Sequence, residues 1–323
     1  MSQAAPDPLP SPAERVSTPV DGVHVVGALS PSRAGDFVTC PLLYRFRTID
    51  RLPEPPSADA VRGTLVHKVL EDLFDLPAAE RTPARAGEML APSWEALAEA
   101  EPELVALFDP DPATRADGGP PLDFTHWLAS CRTVLERWFT LEDPTRLEPA
   151  ERELYVETVL ESKLLLRGFV DRLDVAPDDG ALRVVDYKTG RSPAVGFEQR
   201  ALFQMRFYAL VLWRTRGVVP ALLQLVYLGN GEIVRYEPDE ADLLATERRV
   251  QAIWEAISSA RESGEWLPRR SRACDWCAHR AICPAWGGTP PPLPDQEPGS
   301  PGSPGSPGSP GSPGSAGHSG SAP

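Results

Sequence analysis

The chain has 323 residues, 41% of them hydrophobic, which suffices for one large folded domain or two modest ones. Its formal charge is −14 and its sequence pI is near 4.9, which argues against a general nucleic-acid coat protein. No run of about 18 apolar residues is present to cross a membrane, and the opening "MSQAAPDPLPSPAER" lacks the basic start and apolar stretch of a secretory signal, so the expected location is the cytoplasm.

Residues 1–21 are rich in Pro, Ala and Ser and read as disordered, with folding expected over 22–287. In "RGTLVHKVLEDLFDL", residues 62–76, the spacing of Leu65, Val66, Val69, Leu70, Leu73 and Phe74 predicts a helix. His67 shares the face of Leu70 and Phe74 and points inward. Further helical regions are expected at 88–107 and at 122–141, the latter carrying Trp127, Leu128, Val134, Leu135 and Trp138. Together they make a helical insert at about 77–148. The period then changes to two. Strands are predicted at 151–160, 163–175 and 181–188, with "PDDG" (177–180) as a turn. A helix follows at 197–215. Two strands flank Asn230-Gly231, a hairpin turn signal. The last helix covers 238–263. From about 288 the chain turns to Pro, Gly and Ser, with six Pro-Gly-Ser triplets, too few for a triple helix and better suited to a linker. The element order implies an α/β fold: a central mixed sheet flanked by helices.

"VVDYKTG", residues 184–190, carries the chemistry. On this strand Leu182, Val184, Asp186 and Lys188 share one face, and Val185 and Tyr187 point the other way. In "LLLRGFVDRLDV", residues 164–175, the same period puts Leu165, Arg167, Phe169, Asp171 and Leu173 on one face. A carboxylate on such an apolar face needs a partner or a metal. Two carboxylates from neighbouring strands suit Mg²⁺ or Mn²⁺, which prefer oxygen ligands. An isolated Asp-X-Lys reads first as an ion pair at a strand end. Composition weighs against that here. Of 32 basic residues only Lys68, Lys163 and Lys188 are lysines. An ammonium, unlike a guanidinium, is compact and can shift its pKa. His67 can complete a carboxylate metal site. In "QMRFY", Gln204 and Tyr208 lie four apart on one helical face, a weak signal by itself.

The five cysteines are Cys40, Cys131, Cys274, Cys277 and Cys283. "CDWCAHRAIC" spaces three of them C-x2-C-x5-C. Spacing fits a structural zinc site, either with His279 or with the distant Cys40 as fourth ligand, and does not separate zinc from iron. Cys131 lies among helical apolar residues and reads as a buried thiol.

Charge is unevenly spread. Residues 88–117 hold eight acids against Arg115, whereas "LPRRSRACDWCAHRAIC", residues 267–283, carries Arg269, Arg270, Arg272 and Arg280 against Asp275. Phosphate contacts are expected at Arg269, Arg270 and Arg272. No GxxxxGK[ST] loop is present, so no motor is evident in the sequence.

The order "GTLVH", "GFVDRLD", "VVDYKTG", "QMRFY" resembles the RecB-type nucleases of the PD-(D/E)XK superfamily. The resemblance implies a restriction-endonuclease-like core with His67, Asp171, Asp186 and the Tyr187 carbonyl around Mg²⁺ or Mn²⁺. It implies Lys188 as the catalytic lysine, and Gln204 and Tyr208 as supports that also contact DNA. One early cysteine plus a late triplet is similar to the iron–sulfur subset of that family. That likeness implies a [4Fe–4S] cluster on Cys40, Cys274, Cys277 and Cys283, tying the first folded segment to the last. The expected activity is metal-dependent DNA exonuclease action on single-stranded ends, in recombination or repair, with a helicase or other repair protein as partner. The alternative is a non-catalytic, cluster- or zinc-bearing DNA-binding or scaffold subunit; the intact Asp171, Asp186 and Lys188 weigh against it.

Overall fold

The computed structural model describes residues 25–109, 122–193 and 199–294. The expected disordered N-terminus and the Pro-Gly-Ser repeats lie outside the described residues, as do the acids Asp111 and Asp117.

Six strands form one mixed sheet: β1 (Gly27–Leu29), β2 (Glu151–Val159), β3 (Leu164–Val175), β4 (Leu182–Lys188), β5 (Leu222–Tyr227) and β6 (Glu232–Tyr236). The order is β1-β3-β4-β5-β6, with β2 also paired to β3. β2 runs antiparallel along β3, β4 pairs antiparallel with residues 172–175 of β3, and β1 pairs parallel with 164–166. So β1 and β4 share one edge of β3 at opposite ends. β4 and β5 are parallel, as a helical crossover between them requires. β5 and β6 form the hairpin around Gly231, whose φ of 73° needs a residue without Cβ.

The helices are α1 (Pro31–Thr39), α2 (Pro41–Tyr44), α3 (Ala58–Leu73), α4 (Pro83–Ala100), α5 (Phe124–Leu141), α6 (Gln199–Arg216) and α7 (Glu240–Ser263). Local chemistry sets their ends. Ser30, Ser57 and Thr82 each accept a bond from a backbone N–H of the first turn. α7 opens on a reciprocal Asp239–Asp242 capping box and closes on Gly264 in the left-handed region. The helix expected at 88–107 splits. Pro102 disfavours helical geometry at Glu101, and residues 102–108 continue as a tighter 3₁₀ segment.

The sheet separates two apolar cores. On one side Leu182, Val184, Leu223 and Leu225 pack with α1, α6 and α7. On the other, Val185, Tyr187, Val226 and Leu228 pack with α3, α4 and α5. The helices between α3 and β2 therefore close the second core. Residues beyond 287 also pack: Leu293 touches the first core, and Pro291 O accepts a bond from Arg45 Nη2.

The strand faces of β4 agree with the sequence period. β3 does not keep strict alternation. Leu164, Leu166 and Val170 share the first core with Leu173, so the pattern slips by one residue around Asp171. Phe169, expected beside Asp171 on an apolar face, is 43% exposed. The slip coincides with Glu153, which has φ 43° in mid-strand. β2 pairs Arg152 with Arg172 and Leu154 with Val170, so Glu153 lies opposite Asp171.

Candidate active site

Four elements meet where β3 and β4 diverge. The β3–β4 ladder ends at Arg172 and Val185. Beyond it, the Tyr187 N–H donates to Asp171 Oδ2 at 2.7 Å, so a side-chain carboxylate replaces the missing strand carbonyl. In the next peptide group, Tyr187 O is 3.0 Å from His67 Nε2 on α3. His67 Nδ1 is 3.6 Å from Asp171 Oδ2. The backbone of one residue thus fixes both a carboxylate and an imidazole.

On the opposite face of β4, Asp186 is 2% exposed. Lys188 Nζ lies 2.8 Å from its Oδ2 and donates to Gln204 Oε1 at 3.0 Å. Gln204 Nε2 in turn donates to Asp186 Oδ1 at 3.0 Å and to Tyr208 Oη at 3.3 Å. Gln204 and Tyr208 thus hold the acid and the amine in one relative position. Burial pushes the Asp186 carboxyl above its ordinary range, against the pull of Lys188 and with the push of Asp171. Burial likewise raises the Tyr208 hydroxyl, which stays protonated. Gly168 explains the glycine of "GFVDRLD": a Cβ there would sit 2.7 Å from Tyr208 Cε1.

One residue of the site escaped the sequence reading. His67, Asp171 and Glu153 each offer a ligand atom, all within 4.8 Å of one another. Burial, then the neighbouring Asp171, pushes Glu153 up to about 8. Its left-handed φ costs on the order of 1–3 kcal/mol for a residue with a Cβ. Crowded, strained carboxylates beside an imidazole suit a divalent cation, whose charge relieves their repulsion. Asp186 falls outside that trio, coupled to it electrostatically and held by Lys188 and Gln204. No sequence period marks Glu153; only the pairing of β2 with β3 places it.

A buried arginine backs the site. Arg172, 1% exposed, pairs with both Glu142 oxygens at 2.7 and 2.9 Å and with Asp174 at 3.1 Å, and donates to the Tyr187 hydroxyl. Trp138 Nε1 and Gln224 Nε2 complete the bonds to Glu142. The ring of Tyr187 is therefore clamped behind the peptide that holds Asp171 and His67.

The cysteines form a second locale. Cys40, at the junction of α1 and α2, lines a cavity of about 40 Å³ with Cys274, Cys277, Cys283, Leu42, Phe46 and His279. Arg269 N donates to Cys40 Sγ at 3.3 Å, and Ser271 N to Cys274 Sγ at 3.5 Å. No three of these sulfurs come within 4.8 Å of one another among the described residues. His279 is turned to Glu54 Oε1 at 2.8 Å. Cys131 is fully buried in the second core, its thiol pushed up to about 12 by burial. Of the arginines expected to meet phosphate, Arg269 donates to Val38 O and Arg270 to Ala285 O, whereas Arg272 is exposed.

A mixed sheet flanked by helices, with Asp171 and Asp186-Tyr187-Lys188 at the divergence of two strands, defines a nuclease fold. Residues 28–284 match the PD-(D/E)XK nuclease superfamily, and the chain belongs to it. The chain is 24% identical over 290 residues to the Gene 69 protein of Mycobacterium phage L5, covering 80% of this chain and 96% of that protein. It is 26% identical over 215 residues to the Gene 69 protein of Mycobacterium phage D29, covering 58% of this chain and 70% of that one. The crystal structure of a candidate exonuclease from Eubacterium rectale superposes with a TM-score of 0.50 at 15% identity, covering 78% of this chain and 87% of that one, a likeness of fold. Among the described residues no helix is long and apolar enough to cross a membrane.

Proposed function

We propose that this chain is a divalent-cation-dependent DNA exonuclease acting on single-stranded ends, in recombination or repair. The observation that carries the reading is the joint placement of Asp171, His67 and the Tyr187 carbonyl on one side of β4, with Asp186 and the Lys188 ammonium held by Gln204 on the other. His67, Asp171 and Glu153 would hold Mg²⁺ or Mn²⁺ together with Tyr187 O, and Asp186 would join them by turning from Lys188. Such a cation supplies Lewis acidity and a lower pKa for a bound water. Lys188 offers donors to an attacking water or to charge developing on the phosphoryl oxygens. Gln204 fixes the rotamer of Lys188, and Tyr208 fixes Gln204. The Eubacterium rectale neighbour, described as a candidate exonuclease, supports the choice of exonuclease. A helicase or another repair protein would present the strand end.

The four thiols suit a [4Fe–4S] cluster in this reading. All four line one cavity. A four-iron core held by them would join α1–α2 to the chain after α7.

The test is incubation of the purified protein with 5′- and 3′-end-labelled single-stranded DNA, with Mn²⁺ or with EDTA. Mononucleotide or short products with Mn²⁺, absent with EDTA and in an Asp171→Ala variant, are expected. Intact DNA under every divalent cation would sink the reading. Iron and acid-labile sulfide analysis decides the cluster; a colourless, zinc-loaded protein would overturn it.

A further inference from the structure

The segment after α7 combines positive charge with exposed aromatic surface. Leu267 and Trp276 are 69% and 63% exposed, and Trp286 is 41% exposed. From 267 to 286 the chain carries four arginines against Asp275, within a protein of net charge −14. The Arg280 guanidinium lies 3.9 Å from the centre of the Trp286 ring, and Arg270 lies 4.7 Å from it. Arg280 also reaches Asp275 Oδ1 at 3.5 Å. Asp275 precedes Trp276, so this ion pair ties the turn that carries Trp276 to the one that carries Arg280.

Trp276 ends a single 3₁₀ turn, Arg272–Trp276, that Ser271 caps. Cys274 and Cys277, both on the cavity wall, flank it. Arg272 opens the same turn. It is exposed and has no hydrogen-bond or ion-pair partner among the described residues. Arg269 and Arg270 spend donors on Val38 O and Ala285 O, so they brace the segment. An exposed indole and an exposed guanidinium carried on one capped turn match an unpaired base and a phosphate of the same strand. Duplex DNA keeps its base faces stacked, so only a single strand can use the ring. The local positive charge in an acidic protein favours a polyanion over an apolar protein partner.

We propose that Trp276 and Arg272 form a platform for single-stranded DNA, the indole stacking on a base and the guanidinium contacting a phosphate without reading sequence. The proposal rests on DNA as the substrate of the metal-dependent centre. The experiment titrates full-length protein into fluorescently labelled oligothymidylate, and into duplex of equal length, by anisotropy in EDTA so that no cleavage occurs. Trp276→Ala is expected to weaken oligothymidylate binding by about 5- to 150-fold, the range of one base–aromatic stack. Trp276→Phe should recover most of it. Arg272→Ala should weaken binding and lower the salt slope by about 0.7. Wild-type and Trp276→Ala proteins that bind oligothymidylate equally would overturn the platform while leaving the nuclease reading intact. Equal weakening on duplex would overturn its single-strand character. A wild-type protein that neither binds nor cleaves DNA would overturn both readings.

Discussion

The nuclease centre and the cysteine cavity are built by opposite means. The centre sits on regular elements: β2, β3, β4, α3 and α6 each deliver one or two side chains, and hydrogen bonds or close polar contacts tie those of β3, β4, α3 and α6 to neighbours. Its charges are crowded, as the raised Glu153 and Asp186 carboxyls show. The cavity is built from helix ends and 3₁₀ turns at 40, 274, 277 and 283. Its walls are largely apolar, and few backbone N–H groups reach its sulfurs. The centre's geometry is thus set by the sheet, and in the proposed reading its residues govern the rate. In the proposed reading the cavity's residues govern instead whether the chain stays closed.

That contrast can be broken at each end. The largest expected effect is on rate: Lys188→Ala should cut turnover on single-stranded DNA by about 10²–10³-fold, the value of one preorganised donor. Its thermal midpoint should stay near wild type; a collapse of the fold would place Lys188 with the structural residues instead. Cys274→Ala should do the reverse. It should cost about 2–5 kcal/mol, as removal of a native cross-link does, and abolish visible absorption from iron. Calorimetry showing an unchanged midpoint would mean the cavity staples nothing.

Gly168→Ala tests where the two kinds of control meet. Its new Cβ would press on Tyr208 and, through it, on Gln204. Overpacking of this kind costs about 1–3 kcal/mol, and turnover should fall with stability. A variant as active and as stable as wild type would show that Tyr208 yields freely. The smallest effect concerns pH. Glu153 ionises at about 8 in the folded chain, against about 4.3 in an unfolded one. Between these values the unfolded state holds fewer protons, so stability in EDTA should fall as pH rises through this window. Glu153→Gln should flatten the slope, and Mn²⁺ should oppose it. A wild-type melting midpoint that rises from pH 5 to 8 in EDTA would contradict the crowding.

Much of this was legible because period and chemistry coincide. The alternation in 182–188 put Asp186 and Lys188 together and Tyr187 on the far side, and the two cores divide along that line. Helical spacing put Gln204 and Tyr208 on one face, and the family resemblance brought them to the site. The short β1 and α2 were not read, because a three-residue strand and a four-residue helix are too brief to show a period; the nine-residue α1 was missed as well, its buried residues being only Pro31 and Ala34. Glu142 gave no sign in the sequence, since its partner Arg172 comes 30 residues later from another layer.

The order of acids, amine and amide along the chain was thus decided by the sequence alone, since adjacent residues on a strand or helix have fixed relative directions. Tertiary structure alone decided that Glu153 faces Asp171, that His67 reaches the Tyr187 carbonyl across 120 residues, and that the four thiols share one cavity. Local backbone geometry orients a side chain against its near neighbours. Only strand pairing and layer packing bring distant segments within bonding range.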